Sequence, residues 1–133
     1  MTQRNSLRDF FISELESDLQ VINDHPTTFS LSFQVRHMIT TTFPSLVINS
    51  VRILQSDPEF LPDYFSSMMN ILHGFQQEAR VDLNLQFITA LQIYEQFCTD
   101  LQVKCMDGSI LTGNRAQVTI GGMMISIDLN NIS

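Results

Sequence analysis

Apolar side chains recur every three or four residues from Ser6 to about Thr99, and every second residue after Asp100. This change of period constrains the fold more than any other feature of the chain. A helix brings positions i, i+3 and i+4 to one face, whereas a strand brings i and i+2 together. The sequence therefore predicts an α+β fold, predominantly α-helical, with about five helices and a C-terminal antiparallel β-meander of three to four short strands. With 133 residues, one domain over 1–133 is expected, helical over 6–99 and a β-meander over 101–129.

The strand reading rests on turns. Asp107-Gly108, Gly113-Asn114 and Gly121-Gly122 are pairs that tolerate positive φ, and they separate segments 101–106, 109–112, 115–120 and 123–129. Closing the last hairpin at Gly121-Gly122 pairs Ile120 with Met123, Val118 with Ile125 and Ala116 with Ile127. Those six residues then share one face, and Gln117, Thr119, Met124, Ser126 and Asp128 take the other.

The helical part divides at its breakers. Leu7, Phe10, Phe11, Leu15, Leu19 and Ile22 form one stripe, with Ser6 as N-cap and Asp9 three residues on. Asn23-Asp24-His25-Pro26 stops that helix. Leu31, Val35, Met38 and Ile39 predict a second helix that ends at the β-branched run Thr40–Thr42. A third follows with Pro44 in its first turn. Its Leu46, Val47, Ile48, Val51, Ile53 and Leu54 cover most of its circumference, so it is either central or shared with a partner. Ser56-Asp57-Pro58 breaks it, and Pro62 opens a fourth helix with Leu61, Phe65, Met68, Met69, Leu72 and Phe75. Residues 80–85 read either as an alternating strand or as a turn in which Asp82 caps a fifth helix. That helix carries Phe87, Ile88, Leu91, Tyr94 and Cys98 and ends near Thr99.

Composition narrows the functional classes. The net charge of −7 reflects few bases, 7 Lys plus Arg against 14 Asp plus Glu, and the bases are scattered. Nucleic-acid binding through a basic patch is therefore not expected. The longest uncharged stretch in the middle of the chain, Met38–Val51, is too short to span a bilayer and contains Pro44. The opening MTQRNSLRDFF lacks an apolar signal-peptide core, and Cys98 and Cys105 are too few for a disulfide framework. Reduced thiols and a cytoplasmic location are the corresponding expectations.

No segment matches a catalytic, metal or cofactor pattern. His25, His37 and His73 lie far apart, and the two cysteines lack zinc spacing, so no metal and no cofactor are expected. The glycines form neither a GxGxxG nor a P-loop. Glu14/Asp18 and Asp57/Glu59 are read as solvated carboxylates, and Met68-Met69 as core. Charged residues make up 16%, against roughly 25% in typical soluble domains. A surface poor in charge resembles an interface. The sequence therefore points to a non-enzymatic protein-interaction module with a protein partner: a self-associating adaptor, chaperone-like or inhibitory subunit of the kind viruses and mobile elements encode. The expected assembly is a homo-oligomer, first of all a dimer. Its candidate interface is Val47, Val51 and Leu54 of the third helix with Met123, Ile125 and Ile127 of the last strand. The alternatives are a small enzyme with a site assembled only in three dimensions, and a structural subunit of a larger assembly.

Overall fold

A computed structural model of the chain describes residues 3–23, 31–120 and 123–131. Among them the fold is mostly helical with an antiparallel sheet at the C-terminal end. Helix α1 is Gln3–Asn23. Helix α2 runs without a break over 31–56, as Leu31–His37, a π-helical stretch Met38–Thr42, and Phe43–Ser56. After a 3₁₀ turn at Pro58–Phe60 come α3, Leu61–Val81, and α4, Leu85–Met106. The strands are β1 (Leu111–Thr112), β2 (Arg115–Ile120) and β3 (Met123–Asp128), in the order β1-β2-β3.

Four continuous helices thus replace the five expected, because the second and third are fused. The threonine run favours a terminus by propensity alone, but its weak propensities, a few tenths of a kcal/mol per residue, are outweighed by burial of Met38, Thr42 and Phe43. The join also accommodates Pro44, which has no N–H to donate within a helix. The Phe43 N–H reaches the Met38 carbonyl, five residues back, and this wider turn absorbs the proline.

The second correction concerns residues 101–106, expected as a strand and found as the last turns of α4. Leu101 and Cys105 alternate with polar residues, but they also lie four apart and continue the buried face of Phe97 and Cys98. Asp107-Gly108 is correspondingly a helix stop and not a hairpin. Gly108 has φ +79°, and the Ile110 N–H closes back on the Lys104 carbonyl. Residues 80–85 form no strand: α3 ends at Val81, and Asn84, not Asp82, caps α4 by accepting from the Phe87 N–H at 3.0 Å. Ser6 lies inside α1 rather than capping it.

The last hairpin has the expected register: Ile120 opposite Met123, Val118 opposite Ile125, Ala116 opposite Ile127. The Gly121-Gly122 turn itself falls outside the described residues. Gly113, at φ +60°, makes the turn that sets Leu111 opposite Ala116.

Packing follows the apolar faces. Helix α1 lies on α3, burying Phe11, Leu15, Leu19 and Ile22, each worth about 1.5–3 kcal/mol. The start of its stripe is not covered: Leu7 and Phe10 are 53% and 48% exposed. Arg8 ties α1 to the α2–α3 connection, its guanidinium forking onto Asp57 at 2.8 and 3.0 Å and lying over the Phe60 ring. Helix α2 is central, contacting α3, α4, β2 and β3. Phe43 stacks on Phe97 across α2 and α4, and the sheet rests on these two helices through Ala116 and Val118. No helix is long and apolar enough to cross a membrane among the described residues.

Candidate functional site

The hairpin's backbone determines what its free side offers. In an antiparallel pair, alternate residues direct N–H and C=O to the same neighbour. The Gln117 N–H donates to the Ile110 carbonyl on the β1 side, so Ala116, Val118 and Ile120 face β3. Their partners Ile127, Ile125 and Met123 face back. The Leu129 N–H, which donates to the Asn114 carbonyl at 2.7 Å, continues the same pattern. It follows that Met124, Ser126 and Asp128 turn their backbone groups outward. No strand covers that side among the described residues.

The side chains beside this edge are only partly covered. Ala116 and Val118 on β2 are 0% and 1% exposed, whereas Ile125 and Ile127 opposite them are half-buried against the core. Half-buried Leu54 belongs to α2, which packs on β3. On the outer face Met124 is 61% exposed, and Ser126 Oγ accepts from Arg115 Nε at 2.6 Å. Asp128 is the only charged residue of the strand.

Of the six candidate interface residues, Val47 and Val51 are 0% exposed and completely covered within this chain. The apolarity of the third predicted helix reflects its central place, so these two offer no surface. Ile125 and Ile127 lie on the edge strand, and Leu54 lies on α2, which packs on β3. The Met123 side chain falls outside the described residues. The outward backbone of Met124, Ser126 and Asp128 carries no side-chain signal in the sequence, although the hairpin register implies it.

Ionisable groups converge elsewhere, between α1, α2, α3 and α4. Asn49 Nδ2 donates to Glu14 Oε2 at 2.6 Å, and the buried Tyr64 hydroxyl lies beside Asn49. Asp18, one turn from Glu14, is half-buried, and burial followed by the Glu14 charge pushes its carboxyl up to about 6. The Glu14/Asp18 pair thus faces neighbouring helices and is not a freely solvated face. Burial pushes the Tyr64 and Tyr94 hydroxyls and the Cys98 thiol well above their usual ranges. A thiol held protonated in this way is no nucleophile at neutral pH.

Cys105, also buried, is pushed up to about 12. It lies on α4 two turns from Cys98, where a strand had been expected to carry it. His73 approaches Glu95 at 3.8 Å on the surface of α3 and α4, while His37 sits on α2 and His25 lies outside the described residues. Among the described residues no group of three or more His, Cys, Asp or Glu is placed to hold a metal ion. A shallow groove of about 510 Å³ between α1 and α3, lined in part by Glu16, Gln20, Phe75 and Glu78, contains no His or Cys. Comparison of the chain with protein-family models, curated proteins and solved structures found no match.

Proposed function

We propose that this chain is a non-enzymatic, self-associating protein-interaction module that works through the open edge of β3. The observation carrying the reading is the edge itself: three residues with outward backbone groups, flanked by half-buried Ile125 and Ile127. Such an edge is a template for strand addition, in which main-chain hydrogen bonds supply affinity and flanking side chains supply selectivity. Edges that must stay free are commonly blocked by lysine, proline or a bulge. Here β3 is an uninterrupted six-residue strand with no lysine or proline. The low charge of the whole chain supports the same reading.

Ser126→Pro tests it. The Ser126 N–H points away from β2, so proline removes no ladder bond of the sheet and sits where edge prolines are tolerated. The variant is expected to keep the wild-type circular dichroism and to remain monomeric at concentrations where the wild type associates. A folded Ser126→Pro chain that associates as well as the wild type would remove β3 from the interface.

A further inference from the structure

Resting on that reading, we infer that the occupant of the β3 edge is a second copy of this chain, paired antiparallel about a two-fold axis at Ser126. Among two-fold registers of this edge, the one centred on Ser126 pairs all three outward-facing residues. With Ser126 opposite Ser126 of the second copy, Met124 lies opposite Asp128 and Asp128 opposite Met124. These three are the residues whose N–H and C=O face outward, so each enters a hydrogen-bonded pair. Centring the axis on Ile125 carries Asp128 beyond Met123, the first residue of the second copy's strand, where it enters no pair. Centring it on Ile127 sends Met124 against the 3₁₀ turn Leu129–Asn131. An axis at Asp128 would set two carboxylates directly opposite, a destabilising arrangement.

Charge and apolar surface favour the same register. Asp128, the one charge of β3, faces Met124 of the second copy and meets no like charge across the seam. Ile125 and Ile127, half-buried in the single chain, become cross-strand neighbours of Ile127 and Ile125 of the second copy. Such β-branched pairs on one face are a stabilising unit of a sheet. The two three-stranded sheets join into one continuous sheet with both core-facing sides on the same side, and each copy protects the edge of the other.

Cysteine scanning with a short bifunctional thiol reagent, read beside the mass in solution, tests the register. Ser126→Cys is expected to give covalent dimer as its main product. Met124→Cys and Asp128→Cys, each alone, should give little, and an equimolar mixture of those two should cross-link between chains. Wild-type protein, whose Cys98 and Cys105 are buried, sets the background. A dimeric mass with no cross-link at Ser126 would overturn the register and leave self-association standing. A mass of one chain, 15.2 kDa, would overturn both.

Discussion

Asp18 shows how a single residue couples this fold to pH. The folded chain holds its proton up to about pH 6, whereas an unfolded aspartate releases it near about 3.9. Folding therefore takes up a proton between these values. The stabilisation from protonated Asp18 is complete below the unfolded value and is lost as pH rises through 6. Because the group is partly solvated, the effect is on the order of 1 kcal/mol. Urea unfolding at pH 5 and pH 7 should show it, and Asp18→Asn should flatten the difference while raising the melting temperature at pH 7. An unchanged pH dependence in that variant would remove Asp18 as its source. The sequence hid this residue, since the Glu14/Asp18 spacing fits a solvated face equally well. What distinguishes it is burial in the folded chain, with the Glu14 charge beside it.

The same scale separates residues that a sequence stripe makes equivalent. Phe11 and Leu15 are 6% and 1% exposed, while Phe10 is 48% exposed. Leu15→Ala should lower stability by about 2–5 kcal/mol, and Phe10→Ala by much less, both read from urea midpoints. Leu83 presents the opposite case, 78% exposed and held at φ +55° between exposed Val81 and Leu85. Positive φ is poorly tolerated by leucine and better by asparagine. Leu83→Asn should therefore raise stability by about 0.5–1 kcal/mol. Equal midpoints for Phe10→Ala and Leu15→Ala, or a destabilised Leu83→Asn chain, would contradict these placements.

At the scale of elements, the sequence was most legible where two independent signals agreed. The last hairpin combined a diglycine turn with strict alternation on both sides, and every expected pair is present. It was least legible where one signal served two structures. The run from Leu101 to Met106 alternates, yet its buried Leu101 and Cys105 also fit the helical face of α4. Asp107-Gly108 likewise suits either a hairpin or a helix end, because both require positive φ. The junction within α2 was hidden for another reason: a π turn reconciles Pro44 with a continuous helix, and no periodic pattern announces such a turn. Gly108 tests the helix-stop assignment. An added Cβ meets nothing within 4 Å there, so the penalty of Gly108→Ala is conformational, about 1 kcal/mol, and should appear in the urea midpoint. No loss would mean that Gly108 does not need its left-handed conformation.

For the whole molecule, a helical body packs on a short sheet whose β3 side carries no further strand among the described residues. The all-round apolar helix that suggested a partner is enclosed by its own chain, so the case for association passes from α2 to β3. Of the expected interface, Ile125 and Ile127 lie on a strand with no further strand beside it among the described residues, joined by backbone groups that side-chain patterns do not reveal. Two chains of net charge −7 repel each other at long range, so raising the ionic strength should tighten the dimer. The most direct measurement is the mass of the untagged protein by light scattering across low micromolar concentrations. Pairing through β3 predicts a mass approaching twice 15.2 kDa; a mass that stays at 15.2 kDa throughout would contradict it.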